Sequence, residues 1–157
     1  LEIGTYTGYS ALSMASALPH GARIITYEIN DELEDFTRPR IEKSPWADRV
    51  DFRIADVLVD LPAEMDKATR RLDMVFLDGN KRQYAEYYEL SLKYLRPGGF
   101  ILADNTLWDG HVVDAAYDHD AQTLGVRRFN DLVAADSRVE KVILPLRDGL
   151  TLIRKKE

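Results

Sequence analysis

The chain has 157 residues, 45% apolar and 31% charged, with a formal net charge of −6 and no cysteine. That length predicts one domain with a core of its own, and the missing cysteines exclude disulfides, thiolate metal sites and cysteine nucleophiles. Basic residues scattered over an acidic chain argue against a nucleic-acid partner, and no apolar run approaches the ~20 residues of a membrane span, so a cytoplasmic protein is expected.

Taken in order, apolar runs suited to buried parallel strands alternate with amphipathic segments. Leu1-Glu2-Ile3-Gly4 reads as the end of a strand already under way. A strand needs about 5–6 residues to pair usefully, so the expected polypeptide continues upstream. Residues 8–18 predict a helix with Ala11, Leu12, Ala15 and Leu18 on one stripe, stopped by Pro19 and Gly21. Residues 23–28 (RIITYE) predict the second strand. Asn30 or Asp31 can cap a helix through Leu33, Phe36 and Ile41, with a break near Pro39. Residues 50–54 predict the third strand and 58–68 a loosely helical connection. LDMVFLD at 72–78 is the clearest buried strand, followed by a helix over 84–95 with Tyr88, Leu92 and Leu95 inward. Arg96-Pro97-Gly98-Gly99 closes that helix before a strand at 100–104 (FILAD). Residues 108–123 read as a polar loop, 124–135 as a helix and 139–146 as a strand. Asp148-Gly149 then signals a tight turn into a last strand at 150–154. The alternation predicts an α/β fold: a mostly parallel sheet with helices on both faces, ending in an antiparallel hairpin.

In such sheets ligands gather at the carboxyl ends of the strands. Glu2-Ile3-Gly4-Thr5-Tyr6-Thr7-Gly8 stands there, with Gly4 permitting a sharp turn and Gly8 a close helix start. A dinucleotide fingerprint wants glycine where Tyr6 stands, and Glu2 adds negative charge that a diphosphate would resist. A carboxylate beside a glycine turn suits a ligand carrying an ammonium and a sulfonium, as the methionine part of S-adenosylmethionine does. Glu28, ending the second strand 20 residues after Gly8, is placed to accept hydrogen bonds from ribose hydroxyls. Asp56 can meet an adenine amino group or simply cap a helix.

Asp78 closes the fourth strand, and Asp104-Asn105 closes the fifth. Two carboxylates and an amide without His or Cys favour a hard cation: Mg²⁺ first, with Mn²⁺ or Ca²⁺ as alternatives. Lys81, three residues beyond Asp78, is placed to act as a general base toward an acidic hydroxyl. His20, His111 and His119 form no ligand spacing and receive no role.

LEIGTYTGYSALSMA, YEIN, LDMVFLDGNKRQY, LRPGGFILADNTLWDG and DGLTLIRKK together resemble, in order, the motifs of the cation-dependent O-methyltransferases. That family includes catechol O-methyltransferase and the caffeoyl-CoA O-methyltransferases. The resemblance covers essentially the whole chain. It implies a Rossmann-like sheet of seven strands with an antiparallel last hairpin. It implies cofactor contacts from Glu2, Gly4, Thr5, Tyr6, Ser10, Glu28, Asp56 and Val57, with Asp78 beside them. It further implies a divalent cation on Asp78, Asp104 and Asn105, catalysis by Lys81, and an acceptor site lined by Trp108. Residues 1–157 are expected to form one S-adenosylmethionine-dependent methyltransferase domain without the family's N-terminal helices, active on a small aromatic hydroxyl acceptor and dimeric like its relatives. Asn80 departs from the acidic residue of plant-type members and leaves acceptor preference open. Three other readings stand beside this one: a metal-independent methyltransferase, a nicotinamide oxidoreductase, and a cofactor-binding domain without catalysis.

Overall fold

The computed structural model describes residues 1–69 and 71–157, which form two compact units, Leu1–Asp66 and Lys67–Glu157. Seven strands run through them. In the first unit β1 (Glu2–Ile3), β2 (Ile24–Glu28) and β3 (Val50–Ile54) are parallel, with Ile3 opposite Tyr27 and Glu28 opposite Ile54. Three helices connect or follow these strands: α1 (Tyr9–Ala17), α2 (Glu34–Glu42) and α3 (Val57–Met65). The second unit holds β4 (Leu72–Leu77), α4 (Tyr84–Tyr94), β5 (Leu95–Asp104), α5 (Ala121–Ala135), β6 (Val139–Leu144) and β7 (Leu150–Lys155). There β4 and β5 are parallel, while β7 pairs antiparallel with both β5 and β6. Parallel strands followed by one antiparallel hairpin are what the alternation predicted.

Apolar spacing accounts for most of the helices. In α1, Ala11 and Ala15 are buried, while Leu12 and Leu18 are only half-buried. In α4, Tyr84, Tyr88 and Leu92 are buried together with Tyr87 and Tyr94. Phe129 of α5 meets the rings of Tyr84 and Tyr88 edge-on at 5.4 and 5.9 Å, the arrangement aromatic quadrupoles favour.

Four boundaries differ from expectation, each for a local reason. The α2 helix runs through Pro39 without breaking. Anchors on either side hold it: Thr37 donates to the Tyr6 carbonyl at 2.6 Å, and Ile41 is buried. The α5 helix starts at Ala121 because Asp120 caps it, accepting from both the Thr123 amide and hydroxyl at 2.7 Å. Strand β5 begins at Leu95 rather than Phe100, since Leu95 already pairs with Leu72 before the register shifts around Pro97-Gly98-Gly99. Asp148-Gly149 belongs to a five-residue connection, 145–149, in which the Gly149 amide donates to the Leu146 carbonyl at 2.9 Å.

The end of α5 carries a testable ion pair. Asp136 accepts from the Arg138 guanidinium at 2.6 Å, the Arg138 amide at 2.7 Å and the Tyr88 hydroxyl at 2.8 Å. The Arg138 hydrogen bonds hold its carboxyl well below the usual carboxylate range. Because the folded value is depressed, this stabilisation is complete above the unfolded value of about 4 and fades as pH falls below it. Asp136→Asn is expected to cost about 1–2 kcal/mol at pH 7, tempered by the exposure of Arg138, with the deficit shrinking toward pH 2. Urea unfolding of both proteins at pH 7 and pH 3 checks this; a deficit of the same size at both would contradict it.

Candidate active site

The first unit supplies the glycine turn. Three left-handed residues fall within five positions: Gly4 (φ 100°), Tyr6 (φ 47°) and Gly8 (φ 78°). Tyr6 is the costly member, since a bulky side chain seldom occupies that region outside functional sites. The amides of Gly4 and Thr5 donate to the Tyr27 carbonyl at 2.9 and 3.2 Å, and the Gly8 amide donates to the Thr5 carbonyl at 2.9 Å. A Cβ on Gly8 would press within 3.3–3.4 Å of Ile41 and Thr37, so glycine lets α1 start close to α2.

Around this turn the candidate cofactor residues divide. Glu28 is 9% exposed, and its carboxylate accepts from the amides of Tyr6 (2.8 Å), Ile29 and Asn30 (both 3.0 Å). A carboxylate offers about four lone pairs, so these bonds fix its orientation and leave little capacity spare. Glu2 is fully buried and accepts from the Thr26 hydroxyl, which lies 2.6 Å from that of Thr5. Its carboxylate therefore sits inside the unit, not on its surface. Asp56 caps α3 by accepting from the Leu58 amide at 2.9 Å, and Val57 is buried behind it. Tyr6 is 67% exposed, and Ser10 is half-buried in the first turn of α1.

The second unit gathers the acidic strand ends. Lys81 is 5% exposed, and its Nζ donates to Asp78 Oδ1 at 3.0 Å and to the Tyr84 hydroxyl. That hydroxyl donates in turn toward the carbonyls of Leu77 (3.1 Å) and Asp104 (3.0 Å), so Tyr84 ties the ends of β4 and β5 to the lysine. The Lys81 ammonium also lies 5.7 Å from the centre of the Trp108 ring. Burial pushes the Lys81 pKa down, and the charges of Asp78, Asp104 and Asp148 oppose that shift. Burial pushes Asp78 up; Lys81 counteracts this, and the neighbouring charge of Asp104 adds to it. Asp104 Oδ1 accepts from the Asn105 amide at 2.7 Å, in a segment where Asn105 (φ 57°), Trp108 (φ 46°) and Asp109 (φ 53°) are all left-handed.

Among the described residues no group of three or more His, Cys, Asp or Glu is arranged to hold a metal. The candidate set needs fewer, being two carboxylates and an amide. Burial raises the cost of ionising Asp78 and the charge of Asp104 adds to it, a cost that a hard cation relieves. The donor chemistry therefore fits an oxygen-coordinated divalent ion.

Residues 108–123, expected as a loop, form 3-10 turns over Trp108–Val113 and Ala115–Tyr117. Arg127 of α5 staples them, donating to the carbonyls of His111, Val112 and Asp114 at 2.7–2.9 Å and to Asp118 at 2.6 Å. Asp104, Asn105 and Trp108 line a cleft of about 870 Å³ with this segment.

The O-methyltransferase family model matches residues 1–156. The chain belongs to the O-methyltransferase family. Among the family's curated members it is 43% identical to caffeoyl-CoA O-methyltransferase 1 of Zea mays, over 99% of this chain and 63% of that protein. It is 36% identical to tricin synthase 2 of Oryza sativa subsp. japonica, covering 99% of this chain and 56% of the other. The chain thus spans less than two thirds of the length of these relatives. A crystal structure of the O-methyltransferase from Bacillus cereus in complex with SAH superposes with a TM-score of 0.90 at 34% identity, over 99% of this chain and 72% of that one. TomG from Streptomyces achromogenes in complex with SAM gives 0.89, also at 34% identity, with the same coverage. The fold is the family's Rossmann-like, seven-stranded one. No helix among the described residues is long and apolar enough to cross a membrane.

Two residues of this site escaped sequence reasoning. Tyr84 looked like the first residue of an amphipathic helix, yet its hydroxyl organises the lysine. Gly125, inside α5, packs against the backbone that carries Lys81: a Cβ there would lie 2.4 Å from the Lys81 carbonyl oxygen and 2.7 Å from Arg82 Cα. A glycine in a helix interior, which costs about 1 kcal/mol against alanine, was the available signal. Gly125→Ala is therefore expected to destabilise the protein by about 1–3 kcal/mol despite its better helix propensity. A urea titration checks this, and a more stable variant would contradict the close approach.

Proposed function

We propose that the protein is an S-adenosylmethionine-dependent O-methyltransferase that acts, with a divalent cation, on one of two vicinal hydroxyls of a small aromatic acceptor. The reading is carried by one observation: a buried lysine, held by Asp78 and Tyr84 and facing Trp108, beside the oxygen donors that end β5. Family membership and neighbours solved with SAM and SAH support the donor.

When bound, S-adenosylmethionine supplies an electrophilic methyl on cationic sulfur, and a divalent ion supplies Lewis acidity toward a hydroxyl. In the first unit Glu28, preset by three amide bonds, offers its remaining capacity to the ribose. The turn of Gly4, Thr5 and Tyr6, with Ser10, receives the amino-acid end, and Asp56 and Val57 border the adenine. In the second unit Asp78, Asp104 and Asn105 would hold the cation, and Trp108 would pack on the acceptor ring. Burial lowers the pKa of Lys81, which favours its Nζ as the acceptor of the proton from the acceptor hydroxyl. The oxygen thus freed bonds to the methyl carbon as the carbon–sulfur bond breaks, the electron pair staying on sulfur to leave S-adenosylhomocysteine, and the Lys81 ammonium is left against Asp78. A soluble homodimer in the cytoplasm belongs to the same proposal.

Calorimetry with S-adenosylhomocysteine tests the cofactor half. One site per chain is expected, with no detectable heat from NADH. Binding of NADH in preference would return the nicotinamide reading. A metal-independent reaction is the alternative favoured by the small carboxylate set, and methylation that survives chelation would establish it.

A further inference from the structure

Resting on the reading above, we propose that Arg147 selects acceptors that carry a carboxylate, so that the favoured substrate is an anionic catechol. Among the described residues that line the cleft holding Asp104, Asn105 and Trp108, one is a Lys or Arg, and it is Arg147. Its guanidinium makes no hydrogen bond or ion pair among the described residues. Several other arginines are engaged, Arg53 with Asp51, Asp60 and Glu64, Arg127 with Asp118, and Arg138 with Glu89 and Asp136; what sets Arg147 apart from the exposed arginines is its place on the wall of this cleft.

Lack of nearby acid is not the reason. Asp109 and Asp148 line the same cleft, yet Asp148 Oδ1 accepts from the Asp109 amide and Asp104 Oδ1 from the Asn105 amide. Nor is Arg147 on a loose tip. The Thr106 amide donates to the Gly149 carbonyl at 3.0 Å and the Leu107 amide to the Asp148 carbonyl at 2.9 Å. A Cβ on Gly149 would lie 2.5–2.7 Å from Leu107, so the 145–149 connection is pressed onto the segment bearing Asn105 and Trp108. Arg147 itself sits at φ 47°, a left-handed conformation that strains a side-chain-bearing residue and not glycine. A fixed, strained backbone thus presents a permanently charged, unengaged fork at the cleft wall.

A guanidinium matches a carboxylate in shape and charge, binding it through two parallel hydrogen bonds. In a cleft otherwise lined by Asp104, Asp109 and Asp148, with His111 stacked on Tyr117, Arg147 is the group that makes an anion admissible. The aromatic part of the ligand would lie along the apolar wall of Leu107, Trp108 and Val112.

The test compares 3,4-dihydroxycinnamate with its neutral methyl ester, using the full chain, S-adenosylmethionine and Mg²⁺. Wild type is expected to favour the acid in kcat/KM by about tenfold or more, the worth of one charge-assisted hydrogen bond. Arg147→Gln removes the charge and Arg147→Gly also removes the backbone strain; in both the acid-to-ester ratio should fall toward one. Calorimetric titration of both compounds in the presence of S-adenosylhomocysteine should show the same loss in Kd. No acid preference in wild type, or a preference surviving in both variants, would overturn the proposal. Preferential acid binding without methylation of either compound would keep the Arg147 assignment and overturn the methyltransferase reading instead.

Discussion

Lys81→Met is expected to lower kcat by about a hundred- to ten-thousand-fold, the range over which a positioned general base contributes. Methionine keeps the length and apolar stem of the buried side chain, so packing against Trp108 and Tyr84 survives while the proton acceptor goes. Affinity for S-adenosylhomocysteine should change by less than about threefold, because the proposed donor contacts of Glu28 and the glycine turn do not involve Lys81. The pH profile supplies a second readout. A lysine pKa pushed down by burial means that the neutral base accumulates at lower pH than on an exposed lysine. The rate should therefore rise with pH through that lowered value, and the rise should vanish in the variant. Since Lys81 and Asp78 are hydrogen-bonded, the inflection belongs to the pair. Turnover in the variant within about threefold of wild type, against the hundredfold expected of a lost base, would reject the assignment.

Asp104→Ala should reduce kcat/KM by at least about a hundredfold, with no recovery in excess Mg²⁺. The substitution spares the Asp104 carbonyl that receives the Tyr84 hydroxyl, so that hydrogen bond beside the lysine is retained, while one of the charges that oppose the lowering of the Lys81 pKa is lost. It removes one of two carboxylates and the acceptor of the Asn105 amide. Asp78 would then lose the like charge that now raises its pKa. Steady-state rates across a Mg²⁺ titration are the measurement. Full restoration at high cation would mean that Asp104 only tunes affinity, and unaltered turnover would remove it from the site altogether.

Period and punctuation carried most of the fold. The residues 50–54 predicted for the third strand are those of β3, and Leu72 opens β4 as its apolar run implied. What escaped is where tertiary contacts overrule local rules. Pro39 stays inside α2 because Thr37 and Ile41 anchor both of its sides. The paired stretch beginning at Leu95 could not be read through Arg96-Pro97-Gly98-Gly99, which looks like punctuation but only shifts the register of the strand.

Within the site, residue types were readable and their engagements were not. Glu2 is readable as a charge beside the turn, but its burial and its hydrogen bond from the Thr26 hydroxyl are not. Asp56, open between two roles, acts as a helix cap in this structure. The spacing of Asp78 and Lys81 hinted at an ion pair, but nothing local revealed Tyr84 bridging to the end of β5. Gly125 and Arg147 matter through the backbones they meet or strain, and a linear pattern carries no such information.

The most direct measurement is transfer of a labelled methyl group from S-adenosylmethionine to 3,4-dihydroxycinnamate, before and after chelation. The account predicts a methyl ether on one ring oxygen, abolished by chelator and restored when Mg²⁺ is returned. Undiminished transfer with chelator present would contradict the cation's role. No transfer with any divalent ion, from protein that binds S-adenosylhomocysteine, would contradict the account at its centre.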